Sequence, residues 1–302
     1  MCVEKGNNVM KPKHTKTKFQ IEEFAEFFSA GEFAVIYHQL SEEFQSEIPF
    51  ADFLHMSEEF NQGVEKYSLE TLLSITASIQ QYIWVDSKRH KGISLFVESD
   101  GTIVGLELQL LEQQENICKT SRTYIMPINK EWFVLWGGTN ALLNYHYPVL
   151  SQRYAYDLVI QRDESTYKEY GDELEDYYAF NQKVMAPAEG KVVAVVDGLK
   201  DNPIGDVDTE HPAGNYVIID HGNGEYSLLA HFKQGSILVK EGDFVYEGKW
   251  IGSCGNSGNS TEPHIHFQVM NDHHLFTSES LQIQFTNGIE PIRGDYVIPT
   301  FS

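Results

Sequence analysis

Residues 214–232 read GNYVIIDHGNGEYSLLAHF. Two β-branched and apolar runs flank Gly222, Asn223 and Gly224, the residue types that tight hairpin turns demand, so the stretch predicts two antiparallel strands. The second strand ends on His231. The same punctuation recurs on both sides: EWFVLWGG (131–138), YAYDLVI (154–160), KVMAPAEGKVVAVVDG (183–198), GSILVKEGDFVYEGKWIGSCG (235–255) and PHIHFQVM (263–270). Short strands at close intervals, separated by Gly, Asp and Asn, predict a β-rich antiparallel-sheet domain over residues 116–302. The acidic stretch RDESTYKEYGDELEDYY (162–178) interrupts it and reads as a solvated surface excursion.

Upstream the periodicity changes. Apolar residues recur three and four apart in residues 19–44, broken at Ser29, Ala30 and Gly31, and again in PFADFLHMSEEFNQG (49–63). Strand-like runs follow in 81–87, 92–99 and 102–112, the last two joined by Asp100 and Gly101. Helices ahead of antiparallel strands predict an α+β accessory domain over 18–115, of unknown role, preceded by a flexible polar tail, 1–17. The order of elements resembles the small nuclear-transport-factor-like cone domains found ahead of bacterial enzymes. The whole chain is therefore expected to be α+β.

The 44 Asp and Glu against 22 Lys and Arg give a formal charge of −22. Such a surface disfavours nucleic acid, anionic membranes and anionic wall polymers as partners. Cys2, Cys118 and Cys254 have no spacing that suggests a disulfide framework or a CxxC metal site. The N-terminus lacks the apolar segment of a secretory signal, and no run reaches membrane-spanning length.

In PHIHFQVM, extended chain would place His264, His266 and Gln268 on one face and Ile265, Phe267 and Val269 on the other. Two imidazoles aimed into one cleft serve as metal ligands, as acid/base groups, or as one of each. Asp157 in YAYDLVI and His231 in YSLLAHF are further candidates on strands. His221, at the hairpin end, reads as structural; His211, His273 and His274 lie in polar turns.

From about Pro187 to Val269 the order of motifs resembles the lysostaphin-type zinc metallopeptidases, which cleave peptide bonds in bacterial peptidoglycan. The motifs are Ala-Pro before a Gly turn, a Gly-Asn strand, a strand ending in His231, the hairpin GDFVYEGKWIG, then Gly-Asn-Ser-Gly and His-x-His. The resemblance implies a Zn2+ cofactor and a peptidoglycan stem or cross-bridge peptide as substrate. It makes Asp157 and His266 metal ligands, and places His231 and His264 beside the attacking water as catalytic residues. Such a substrate lies in the cell wall or outside the cell, although the chain shows no signal peptide.

One position departs from the family pattern. The usual first ligand is a histidine four residues before the aspartate, where this chain has Arg153, which offers no lone pair. His146, in NYHYPVLSQRYAYD, takes that role by chemistry and by likeness to a variant branch of the family. Strand parity would aim Arg153 into the cleft, where a cation would weaken metal binding unless turned aside or paired; an acidic residue of the 162–178 excursion could pair with it, and its removal is expected to leave the metal in place. Two other readings compete. One is an inactive relative that binds peptidoglycan or regulates another wall hydrolase. The other is a lipoyl-like carrier module, which would need a modifiable lysine at a hairpin tip that VKEGDFVYEGKWIG lacks.

Overall fold

The computed structural model describes residues 18–112 and 117–300. The predicted tail, and Cys2 with it, lies outside them. Four short helices come first: α1 (Phe24–Ser29), α2 (Phe33–Tyr37), α3 (Glu42–Glu47) and α4 (Phe50–Asn61). Gly31, at φ +79°, makes the break between α1 and α2. The Ser41 hydroxyl accepts from the Phe44 amide at 3.1 Å and caps α3. Pro49 precedes α4, and Gly63 (φ +74°) follows it.

An antiparallel sheet of β1 (Tyr67–Ser74), β2 (Ile79–Asp86), β3 (Lys91–Glu98) and β4 (Ile103–Leu110) completes this part. β1 is not legible in the sequence because YSLETLLS carries three Leu and a Glu, which favour helix, and only pairing along β2 makes it a strand. β2 is buried on both faces. Tyr82 and Trp84 pack with Phe24, Phe28 and Leu95 under the helices, while Ile83 and Val85 pack on the opposite face against Leu111, Leu142 and Leu143.

Twelve further strands follow: β5 (Lys119–Tyr124), β6 (Trp132–Trp136), β7 (Tyr156–Val159), β8 (Lys183–Met185), β9 (Gly190–Val196), β10 (Asn215–Asp220), β11 (Tyr226–Phe232), β12 (Phe244–Val245), β13 (Trp250–Ser253), β14 (Ile265–Met270), β15 (Ser280–Phe285) and β16 (Tyr296–Val297). The main sheet runs β12-β9-β10-β11-β14-β7-β6-β16, with β15 pairing β14 and β5; β13 and β8 pair separately. The structure is mostly antiparallel, as expected; the β5–β15 pairing is parallel. A buried core beneath the sheet gathers Trp132, Leu158, Val217, Leu229, Phe267 and Val269. The acidic excursion carries a single 3-10 turn, Leu174–Asp176, and Thr166 donates to Glu262 at 2.8 Å.

Glycine is required where two loops cross beside the sheet. Gly214 (φ +57°) and Gly258 (φ +83°) face each other, and a Cβ on Gly258 would lie 2.3 Å from the Gly214 nitrogen. Neither backbone can yield without moving the loop. Gly258→Ala is therefore expected to cost about 1–2 kcal/mol from the left-handed backbone, with more from the clash. A thermal melt should show a drop of several degrees.

Candidate metal centre

Strand β14 runs between β11 and β7, and the register sets His266 opposite Asp157 on one side and Ala230 on the other. Ile265, Phe267 and Val269 enter the core, so His266 and Gln268 must face the opposite surface. There His266 Nδ1 lies 2.9 Å from Asp157 Oδ1. The third member, His146, arrives on the segment between β6 and β7, with Nε2 3.0 Å from Asp157 Oδ2. Ligand atoms of His146, Asp157 and His266 lie within 4.8 Å of one another, and all three residues are buried.

Asn144 explains how a loop holds an imidazole so firmly. It is fully buried, and its amide donates to the carbonyl oxygens of Gly138, Arg153 and Ala155, tying both ends of the loop together. Its oxygen accepts from the His146 amide at 3.1 Å. Asn140 similarly accepts from the amides of Leu142 and Leu143. Gln268 orients His266. Its amide donates to the Ser151 carbonyl at 2.9 Å, which turns its own oxygen to His266 Nε2 at 2.8 Å. With the Nε2 proton so held, Nδ1, which hydrogen-bonds Asp157 here, is the nitrogen that would give up its proton to offer a lone pair to a cation. Neither Asn144 nor Gln268 was singled out for these roles in the sequence; the spacing of Asn144 two residues before His146 was the available signal.

Asp157 sits at the centre. Burial pushes its carboxyl up, but the charges of His146 and His264 and hydrogen bonds from His146 and His266 outweigh this and hold it well below the usual carboxylate range. The Tyr145 hydroxyl also donates to Oδ2 at 3.0 Å. For His266, burial lowers the pKa, but the hydrogen bond and charge of Asp157 and the hydrogen bond to Gln268 together outweigh it, for a net rise. Two imidazoles and a carboxylate make a donor set suited to zinc, which takes His nitrogen and Asp oxygen and in catalytic sites three protein ligands. The residues fit the ion.

His231 and His264 stand beside this trio, with ring centroids 4.6 Å apart. Strand alternation would set His231 on the core side with Leu229. Instead a shift in register at Asn215/Tyr216 and φ +68° at His231 turn it to the groove that Leu228, Ala230, His266 and Gln268 line. His231 Nδ1 lies 2.8 Å from the Ser257 carbonyl oxygen, and His264 Nδ1 lies 2.9 Å from that of Glu262. Each backbone acceptor fixes the Nδ1 proton and leaves Nε2 for chemistry. His264 Nε2 is 3.8 Å from Asp157 Oδ1. Burial, and then the neighbouring His264 and His266, hold His231 well below its ordinary pKa, so it is neutral. Tyr145 and Phe276, both exposed, line the groove.

Arg153 corrects two expectations. Residues 151–154 form a turn and β7 begins only at Tyr156, so strand parity does not apply to it. Its guanidinium donates to the Tyr147 carbonyl at 3.0 Å, stacks over the Tyr147 ring and pairs with Glu112 at 3.2 Å, rather than with the acidic excursion. His221 is held at both nitrogens, by the Glu189 carbonyl and the Ser227 hydroxyl, and burial pushes it down to about 4. A larger cavity of about 500 Å³ lies among Glu112, Asn140, Tyr147 and Tyr154, but it contains none of the five clustered residues, so chemistry rather than size locates the site. Cys118 and Cys254 are free thiols. Among the described residues, no helix is long and apolar enough to cross a membrane.

Residues 175–277 match the sequence model of Peptidase family M23, a span that includes His231, His264 and His266 but not His146 or Asp157. Peptidoglycan DD-endopeptidase ShyA of Vibrio cholerae serotype O1 is 39% identical over 93 residues, covering 29% of this chain and 21% of that protein. Peptidoglycan DD-endopeptidase ShyB of the same organism is 36% identical over 103 residues, covering 30% and 24%. The chain thus spans only 21% and 24% of the length of these curated relatives. Among solved structures, the catalytic domain of the antimicrobial peptidase lysostaphin from Staphylococcus simulans is 25% identical, covering 42% of this chain and 74% of that one, with a TM-score of 0.29. Residues 175–277 are thus similar in sequence to Peptidase family M23.

Proposed function

We propose that the protein is a zinc-dependent endopeptidase that hydrolyses peptide bonds in bacterial peptidoglycan, acting at the cell wall or outside the cell. The observation that carries this is the convergence of His146, Asp157 and His266 within 4.8 Å, with His231 and His264 alongside. The M23 match and relatives named as peptidoglycan DD-endopeptidases supply the substrate class. In this reading residues 18–115 form an accessory unit and 116–302 the peptidase unit.

His146, Asp157 and His266 would hold the ion. When bound, zinc supplies Lewis-acid chemistry, polarising the scissile carbonyl and bringing the pKa of water to about 7. Neutral His231 is in the form that takes a proton from the attacking water. His264 presents Nε2 beside the same trio, where in its doubly protonated form it can donate to the oxyanion, while the proton that His231 takes from the water passes to the leaving amine. The groove past Tyr145 and Phe276 is open to an extended peptide. An inactive binder or regulator is the less favoured reading, because it would have no need of five such residues held together by buried amides.

Digestion of purified peptidoglycan with the zinc-loaded protein should release muropeptides that carry new amino termini, and identifying those termini names the bond. Tight binding to every peptidoglycan tested, with no new termini, would instead support the regulator.

A further inference from the structure

The helices and first sheet have no assigned role, yet they touch the loop that brings His146 to the site. Leu142 and Leu143, on that loop, are buried against Ile83 and Val85 of β2 and against Leu111. Gly92 on β3 is the socket for Leu142, since a Cβ there would lie 2.3 Å from Leu142 Cδ1. At the other end of the loop, buried Arg153 joins three things. Its Nε–H holds the carbonyl of Tyr147, the residue after His146; its ring contact holds Tyr147 itself; and its far nitrogen reaches Glu112, just beyond β4.

We propose that Arg153 is a positioning residue through which, together with the Leu142 socket, the N-terminal part of the chain braces the His146 loop and so sets zinc affinity. The Glu112 carboxylate is half-exposed, so this ion pair alone contributes little. The buried Nε–H bond to the Tyr147 carbonyl and the apolar seat of Leu142 contribute most. Arg153 thus occupies the position of the family's usual ligand histidine and serves the residue that replaces it. The expectation that its removal spares the metal is revised accordingly. The inference rests on His146 being a ligand.

The test compares zinc affinity, by competition with a chromophoric chelator, in full-length variants whose circular dichroism matches wild type. Arg153→Ala should bind zinc about tenfold more weakly, the size expected when a group orienting a ligand is lost. At saturating zinc it should regain turnover with an unchanged KM. Gly92→Ala, which crowds Leu142 from the N-terminal side, should shift affinity in the same direction by less. Phe53→Leu destabilises the helical core away from the interface and should leave affinity alone. Wild-type affinity in Arg153→Ala overturns the proposal, provided His146→Ala has lost zinc. An equal loss in Phe53→Leu also overturns it, by showing mere instability. Wild-type affinity in Gly92→Ala removes the share given to the first sheet. If His146→Ala itself binds zinc normally, the ligand assignment beneath the proposal is what fails.

Discussion

Asp157→Ala, His266→Ala and His146→Ala should each be purified essentially without zinc, and each should lose peptidase activity in proportion. Losing an outer partner of a metal ligand costs about 10–100-fold in affinity, so removing one of three direct donors should cost more than about a hundredfold. Asp157→Ala should be the most severe. Its carboxylate lies between the two imidazoles and accepts from Tyr145 as well, so alanine there removes a donor and releases three side chains at once. His146→Ala is the most informative. It lies outside the span that matches the family, on a loop rather than a strand, and it is expected to match His266→Ala in zinc content. Metal analysis of the folded variants checks all three. Zinc at the wild-type level in any one of them removes that residue from the ligand set.

How far the sequence discloses this site depends on whether local rules govern each residue. His264 and His266 were legible because β14 is regular: alternation alone sends Ile265, Phe267 and Val269 to the core and the polar partners to the other face. The same rule fails at His231, where a bulge and a left-handed backbone reverse the facing of one residue. It fails again at Arg153, because the strand that would give the rule force starts three residues later. Helix α4 announced itself through Pro49 and Gly63, whereas β1 was hidden by helix-favouring side chains that only its partner strand overrides. Glu112 could not have been named as the partner of Arg153 from sequence. The two are 41 positions apart, and their meeting depends on how the first sheet seats on the loop. Asn144 and Gln268 belong to the same class, since a buried amide reveals its purpose only when the carbonyls it serves are in place.

Removing His231 or His264 should separate catalysis from metal binding. Neither places a donor atom in the His146–Asp157–His266 trio, so His231→Ala and His264→Ala should keep zinc near the wild-type level. Turnover should fall about 10²–10⁴-fold in each, the range for a positioned acid or base. Their shared design argues for this. In both, Nδ1 is spent on a backbone carbonyl, which fixes the tautomer and leaves Nε2 to exchange protons. His231 also sits at φ +68°, a conformation costing of order 1 kcal/mol or more for a non-glycine residue, and one that faces it to the groove instead of the core. Glycine at 231 would relieve that strain. His231→Gly should therefore melt no lower than His231→Ala while remaining as inactive. The double variant should lose little beyond the worse single one, because two groups that handle one proton path act as a unit. Single-turnover rates on peptidoglycan fragments at matched zinc content decide the matter: a zinc-loaded His231→Ala or His264→Ala protein that cleaves at the wild-type rate does not owe its chemistry to that histidine.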